Sequence, residues 1–124
     1  MKKLLFIFFS FTFLNASDIQ KAFLVAVYDK NRVENVQHKI KTDFQYRGEV
    51  VFKVAIIGNY NKNVNVITKI NSSNGKLINT ETLYNNLTKK IYGYELTFKH
   101  LDVQKGYFEV FIDGKLYDTK VFVK

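Results

Sequence analysis

Short runs of β-branched and aromatic residues recur from Ala22 onwards, roughly once in ten residues, with turn-forming residues between them. This spacing is typical of an all-β sandwich or barrel in which each run forms one strand. Asn74-Gly75 and Asp113-Gly114 are the strongest hairpin dipeptides among the separators, because these residue types tolerate positive φ. The pattern requires no helix and predicts seven to eight antiparallel strands, at residues 23–28, 36–40, 50–57, 64–70, 76–82, 90–99, 106–112 and 116–123.

The last hairpin can be aligned residue by residue if Asp113-Gly114 forms a two-residue turn. In this register Phe111 pairs with Leu116, and Glu109 lies directly opposite Asp118. The face predicted to be buried contains Phe108, Val110, Ile112, Tyr117, Thr119, Val121 and Val123. The opposite, outer face contains Tyr107, Glu109, Phe111, Leu116, Asp118, Lys120 and Phe122.

The stretch YELTFKHLDVQKGYFEVFIDGKL, from Tyr94 to Leu116, contains an alternating strand, a crossover with Leu101, a Gly106-Tyr107 pair and a tight hairpin. This order resembles the end of bacterial immunoglobulin-like and fibronectin type III-like modules, over about the last third of the chain. The resemblance implies an antiparallel immunoglobulin-like sandwich that serves in adhesion, in envelope assembly or as a spacer. The chain lacks the core tryptophan and paired cysteines of antibody-type domains, so a relationship with those is not supported.

The N-terminal residues have the order of an export signal. Lys2 and Lys3 precede an apolar run at residues 4–14, and Ala16 supplies a small residue before the expected cleavage site. The run falls short of the roughly 20 residues of a membrane-spanning helix. No cysteine follows it, which excludes lipoprotein processing. We therefore expect a signal peptide at residues 1–16, one domain at residues 17–124, no membrane span in the mature chain, and a periplasmic or secreted location.

The chain is basic, with a formal net charge of +8 at pH 7, but only Arg32 and Arg47 are arginines. Arginine provides the planar fork that recognises phosphates and guanine edges, so we expect no nucleic-acid partner. The surplus of positive charge is interpreted as a solvated lysine surface, with attraction to an anionic envelope surface as a second possibility. Without cysteine the domain depends on core packing, and we expect Phe98 and Phe108 to be buried in facing sheets.

The two histidines, His38 and His100, lie far apart in the sequence and have no neighbours at a metal-binding spacing. Both are expected on the surface or in turns. Asp102 lies close enough to His100 for a catalytic triad to be considered, but no serine occurs in a nucleophile-elbow context. The sequence therefore indicates no catalytic residue, no metal site and no cofactor.

The predicted pair of Glu109 and Asp118 brings two like charges together, which is unfavourable unless something offsets it. One interpretation is a cation site or a glycosidase-like carboxylate pair. The other is a surface pair neutralised by Lys120 and by lysines on the adjacent strand. We expect the second, because a flat outer face provides no cleft that excludes water.

The candidate binding residues are Tyr107, Phe111, Leu116 and Phe122, because a contiguous apolar group on an outer face marks a contact site. The alternative is that a loop or the N-terminal strand covers them. We expect a non-enzymatic protein-binding or envelope-assembly module whose partner is another envelope or surface protein. Two further hypotheses stay open, a small-ligand carrier of β-barrel type and a small periplasmic enzyme. The first requires an apolar cavity, and the second requires a cleft with converging polar groups.

Overall fold

The computed structural model describes residues 19–61 and 63–124, so the predicted signal peptide at residues 1–16 lies outside the described residues. The described chain contains ten strands and no helix. None of it forms a helix of the length and apolar character that crossing a membrane requires. The strands are β1 (Ile19–Tyr28), β2 (Val33–Asn35), β3 (Gly48–Gly58), β4 (Val66–Ile70), β5 (Ser73–Asn74), β6 (Lys76–Tyr84), β7 (Ile91–Val103), β8 (Gly106–Ile112), β9 (Lys115–Asp118) and β10 (Phe122–Val123).

The strands form two antiparallel sheets that pack face to face. The first sheet has the order β2-β1-β3-β7-β6, and the second has the order β10-β8-β4-β5, with β9 paired to β8. The prediction of an all-β sandwich is therefore confirmed. β5 and β6 follow one another in the chain but belong to different sheets, so the chain crosses between the sheets at Gly75. Glycine is needed there, because a Cβ atom would collide with Thr68 Oγ1 and His100 Nε2.

Six predicted strands overlap β1, β3, β4, β6, β7 and β8, and two predictions need correction. The predicted strand at residues 36–40 is wrong, because β2 ends at Asn35, whose Oδ1 accepts a hydrogen bond from the Gln37 amide at 3.0 Å. This contact forms a local turn. The predicted strand at residues 116–123 is interrupted after Asp118, whose Oδ1 accepts a hydrogen bond from the Lys120 amide at 3.1 Å. The turn divides it into β9 and β10.

The core lies between the two sheets and is built from large rings. Phe52 in β3 and Phe108 in β8 stack with their ring centroids 4.5 Å apart. Phe98 in β7 is also buried, so the prediction that Phe98 and Phe108 are buried in facing sheets is confirmed. The other large, fully buried apolar side chains include Tyr46, Leu24, Ile56, Ile70, Leu96 and Ile112.

The segment at residues 36–47, here called the covering segment, runs along β10 at one edge of the second sheet. The Thr42 amide donates a hydrogen bond to the Phe122 carbonyl at 2.9 Å, and the Phe122 amide donates to the Ile40 carbonyl at 2.9 Å. The Tyr46 amide donates to the Lys124 carbonyl at 3.0 Å. The polar backbone groups of this edge are therefore paired within the chain.

Glu34 in β2 anchors the covering segment from inside the protein. Its buried carboxylate accepts hydrogen bonds from the Asp43 amide at 2.6 Å, from Lys39 Nζ at 3.0 Å and from the Tyr46 hydroxyl at 3.0 Å. Burial alone would raise the pKa of Glu34, but these hydrogen bonds together lower it. The Glu34 carboxylate is therefore charged at neutral pH. Replacing Glu34 would leave each of these donors without its acceptor.

β6 ends the first sheet in a different way. Eight of its nine residues are exposed, and Leu83 is half-buried. No described strand lies beyond β6, so its backbone groups on the side away from β7 face solvent. This edge of the sandwich is open.

Candidate binding face

The four predicted binding residues lie together on the outer face of the second sheet. Tyr107 and Phe111 are in β8, where they alternate with the buried Phe108 and Val110. Phe111 pairs with Leu116 in β9, and Tyr107 pairs with Phe122 in β10. Tyr107 is 56 % exposed and Leu116 is 45 % exposed, while Phe111 and Phe122 are half-buried. We call this surface the outer face.

Three apolar side chains form one row across the outer face. Ile67 in β4 is the partner of Phe111, which is in turn the partner of Leu116. Residues that are direct partners in neighbouring strands point to the same side of a sheet, so the row is continuous. Ile67 is exposed and was absent from the sequence-based set of candidates. The alternation of inward and outward residues in β4 indicates that Ile67 faces outward. It lies between Val66, which packs against the core, and the buried Thr68.

A second apolar group, formed by Tyr107 and Phe122, lies further along the same face. Their ring centroids are 5.1 Å apart and the rings meet edge to face at 73°. The covering segment binds both backbone groups of Phe122. The Phe122 amide donates to the Ile40 carbonyl, and the Phe122 carbonyl accepts from the Thr42 amide. These contacts hold the backbone of β10 in place, and Tyr107 is the more exposed of the two aromatic side chains. The edge-to-face geometry is a favourable arrangement for two aromatic rings.

A charged strip separates the two apolar groups. Lys69 in β4 is the partner of Glu109 in β8, and Lys69 Nζ also lies 5.7 Å from the centre of the Phe111 ring. The outer face therefore presents an apolar row, then a pair of opposite charges, then an aromatic pair. This arrangement can hold apolar side chains of a protein partner and fix their register through charge.

The predicted pairing of Glu109 with Asp118 is wrong. The register follows the prediction at Ile112 and Phe111, but it shifts at a bulge, so that Asp118 lies opposite Val110. The Asp118 carboxylate explains the shift, because its Oδ2 accepts a hydrogen bond from the Leu24 amide in the other sheet at 3.2 Å. The hypotheses of a cation site and of a glycosidase-like pair both depended on that pairing and are withdrawn with it.

The bulge also changes the predicted buried face of the last hairpin. Beyond it Thr119 is exposed and Tyr117 is half-buried, so the prediction that Thr119 lies on the buried face is wrong. The remaining members of that face are confirmed as buried. These are Phe108, Val110, Ile112, Val121 and Val123.

His100 is buried in the core, so its predicted position on the surface or in a turn is wrong, whereas His38 is exposed as expected. The Thr68 hydroxyl lies 2.8 Å from His100 Nε2, and Ser73 Oγ lies 3.2 Å from His100 Nδ1. Because the Ser73 hydroxyl donates to the Leu101 carbonyl at 2.6 Å, it accepts the proton of Nδ1, and Nε2 accepts from Thr68.

The surroundings of His100 give it a structural role. Burial lowers the pKa of His100 to about 4, so its ring is neutral at pH 7. The Ser73 proton points to a backbone carbonyl, so the imidazole does not activate Ser73 as a nucleophile. Asp102 is exposed and is not a hydrogen-bond partner of this ring. Across residues 19–61 and 63–124, no group of three or more His, Cys, Asp or Glu side chains could hold a metal ion.

Surface grooves occur away from the outer face. One of about 510 Å³ is lined by Tyr28, Arg47, Glu49 and neighbouring residues, and one of about 430 Å³ is lined by Ser73, Lys99 and neighbouring residues. None of the four candidate binding residues lines either groove. Comparison with known protein families, with curated proteins and with solved structures found no match for this chain.

Proposed function

We propose that the chain is an exported, non-enzymatic protein-binding or envelope-assembly module that holds its partner through the outer face. The observation that carries this proposal is the solvent-facing apolar row of Ile67, the half-buried Phe111 and Leu116, next to the pair of Tyr107 and Phe122. Soluble domains rarely expose contiguous apolar groups without a contact to make, and aromatic side chains dominate the energy of protein interfaces.

The charged strip defines the chemistry of the proposed partner. Lys69 and Glu109 lie between the two apolar groups, so a complementary surface presents apolar side chains on either side of an opposite pair of charges. Such a surface is found on proteins, and we propose another envelope or surface protein as the partner. The charges set the orientation of the complex, and the aromatic side chains supply most of its affinity.

We further propose that the sandwich is of the immunoglobulin-like kind. In constant-type immunoglobulin domains, strands one, two, five and four form one sheet, and strands three, six and seven form the other. When the short β2 and β5 are set aside, the first sheet has the order β1-β3-β7-β6 and the second joins β4, β8 and the divided last strand. This equivalence supports the adhesion or assembly role that the sequence resemblance implies.

Export is supported by the leader at residues 1–16, and we propose a periplasmic or secreted location on that basis. The absence of cysteine makes the domain independent of disulfide formation, because the stacked rings of Phe52 and Phe108 hold the two sheets together. These rings also fill space between the sheets, which favours binding on the surface over a carrier with an internal cavity. An intact-mass measurement on the exported protein tests cleavage after Ala16.

The outer face is tested by replacing Phe111 with alanine. The Phe111→Ala protein should capture its envelope partner at least tenfold more weakly than wild type, about 1.4 kcal/mol, while its free energy of unfolding changes little. Val33→Ala, an exposed apolar residue on the first sheet, is the matched control and should leave capture unchanged. A loss of several kcal/mol of stability in Phe111→Ala would show that the ring is part of the core. Unchanged capture would move the contact away from the outer face.

A further inference from the structure

The turn between β6 and β7 forms a projecting tip at residues 84–92. The last pair between β3 and β7 joins Ile57 to Gly93. The part of β7 that precedes Gly93 in the chain therefore has β6 as its partner strand and extends past the region paired with β3. Tyr84 pairs with Ile91 at the base of the turn. We call residues 84–92 the hairpin tip.

The hairpin tip is rich in exposed apolar side chains. Leu87, at its end, is 92 % exposed, which is the highest value among the large hydrophobic side chains exposed in the described chain. Tyr84, Ile91 and Tyr92 surround the base of the tip and are also exposed. The tyrosine rings have an apolar body and a polar hydroxyl, as in side chains that lie at a boundary between water and an apolar phase.

The conformation of the tip is fixed by its own hydrogen bonds. Asn85 Oδ1 accepts hydrogen bonds from the amides of Leu87 and Thr88, at 2.9 and 3.0 Å. The Lys89 amide donates to the Asn85 carbonyl at 2.8 Å, and the Asn85 amide donates to the Lys90 carbonyl at 2.9 Å. Leu87 is therefore presented to solvent by an ordered turn, so burying it elsewhere does not require the turn to fold anew.

The charge of the tip has one sign. Lys89 and Lys90 are exposed beside Leu87, and no acidic residue occurs in the sequence between Glu81 and Glu95. Those two glutamates are partners in β6 and β7, below the tip. The end of the hairpin thus combines an apolar apex, two tyrosines and two cations, whereas the carboxylates stay behind it.

We propose that the hairpin tip inserts into the interfacial region of a lipid bilayer that contains anionic headgroups. Leu87 enters the boundary of the acyl chains, Tyr84 and Tyr92 lie at headgroup depth, and Lys89 and Lys90 contact lipid phosphates. Binding at a bilayer surface grows with the apolar area that is buried and with the attraction to anionic lipids, and the tip has an apolar side chain next to basic residues. The positive net charge of the chain acts in the same direction. This contact is independent of the outer face.

Insertion can be measured at the tip itself because the chain contains no cysteine. The Leu87→Cys protein, labelled with an environment-sensitive fluorophore, is mixed with vesicles of phosphatidylcholine alone or of equal parts phosphatidylcholine and phosphatidylglycerol. The emission should shift to the blue with the anionic vesicles and should return towards its value in buffer when salt is raised. Ile40→Cys is the matched control, because Ile40 is 72 % exposed and lies in the covering segment, away from the tip.

Variants that remove charge are compared through the fluorescence of the same label at position 87. Lys89→Ala/Lys90→Ala should weaken binding to the anionic vesicles by roughly tenfold or more, because each lysine near such a surface contributes substantially. Lys30→Ala/Lys105→Ala removes the same charge from other exposed turns and should have a smaller effect. All proteins are prepared identically, so any contribution of residues 1–16 is common to them.

Three outcomes would overturn the proposal. If the protein sediments with vesicles while the Leu87→Cys label keeps its emission in buffer, another part of the chain binds the lipid. If neither vesicle shifts the label, the tip does not enter bilayers, and its apolar apex is then assigned to a protein contact. Equal losses in the two double-lysine variants would also contradict it, because binding would then depend on total charge and not on the tip.

Discussion

Two edges of the sandwich, β10 in the second sheet and β6 in the first, differ in how their backbone groups are covered. At β10 the covering segment pairs with the edge, and the buried carboxylate of Glu34 holds that segment in place. At β6 the edge is open, and nearly every side chain of the strand is exposed. The comparison shows that this fold protects the edge beside its candidate binding face and leaves the opposite edge of the other sheet accessible.

Two buried ionisable groups hold parts of the sandwich together, and they have opposite character. Glu34 holds the covering segment, and His100 in β7 joins the first sheet to β4 and β5 of the second sheet. Glu34 is held as an anion by the hydrogen bonds of the covering segment. His100 is held neutral, and its contacts with Thr68 and Ser73 lie next to Gly75, where the chain enters β6. The covering segment therefore depends on a satisfied charge, whereas the contact of β7 with β4 and β5 depends on keeping a ring uncharged.

The largest expected effect is on the free energy of unfolding, which should respond differently to mutation in the packed body and at the open edge of β6. Phe108→Ala should lower the free energy of unfolding by about 3–5 kcal/mol, because it removes a ring that stacks on Phe52 and leaves a cavity. Leu77→Ala, at the start of β6, is the matched control and should cost less than about 1 kcal/mol, since Leu77 is partly exposed. Urea denaturation measures both. Similar losses in the two variants would contradict the division into a packed body and an open edge.

The next effect concerns acid and distinguishes the two anchors. His100 has a pKa of about 4 in the folded protein, against an ordinary value of 6.5, so below 6.5 the unfolded chain binds a proton that the folded chain does not. Stability should fall as pH is lowered from about 6.5 to 4, by about 3 kcal/mol in total. Urea titrations across this range measure the loss. A His100→Gln protein should lose this dependence, and an unchanged pH profile in that variant would show that another group is responsible.

Glu34 should respond at lower pH than His100. Its folded pKa is depressed below 4.5, so its contribution is present above that value and disappears as pH falls through the folded pKa. The contact between the two sheets at His100 is therefore expected to weaken first on acidification, and the covering segment is expected to follow. Hydrogen exchange of the Gly75 amide, which donates to the Thr68 carbonyl, and of the Thr42 amide, measured at several pH values, reports the two events separately. Exchange that increases at both places in the same pH interval would contradict this order.

The smallest effect lies within the open edge itself. Glu81 and Glu95 are direct partners in β6 and β7, where like charges are unfavourable, and Lys53 lies 3.5 Å from Glu95. Glu81→Lys should therefore raise the free energy of unfolding by about 0.5 kcal/mol. Glu81→Gln, which removes the repulsion without adding an attraction, should give a smaller gain. A loss of stability in both variants would show that Glu81 makes a favourable contact at this edge.

Local patterns were sufficient to predict much of β8 and its hairpin. Strict alternation placed Phe108 and Val110 inside and Tyr107 and Phe111 outside, and the Asp113-Gly114 turn fixed the first pairs of the hairpin. These features depend on residues that are close together in the sequence. The same reasoning correctly grouped the four candidate residues on one face, although it could not test what they bind.

Features that depend on distant residues could not be predicted in this way. The bulge opposite Val110 follows from a hydrogen bond between Asp118 and the Leu24 amide, which no local pattern indicates. The burial of His100 depends on hydroxyl partners from two other strands. Residues 36–40, the first part of the covering segment, are predicted as a short strand, but the side chains of Glu34 and Asn35 bond to the chain here and the segment runs along β10 instead.

The crossing of the chain at Gly75 and the pairing of β3 with β7 limit when the chain can fold during its synthesis. Phe52 can meet its partner Phe98 only after most of the polypeptide is available, and Thr42 can meet Phe122 only when nearly all of it is. Folds dominated by such distant pairings assemble on the order of milliseconds to seconds. A nascent chain of this kind therefore cannot complete its core until nearly all of it has been synthesised.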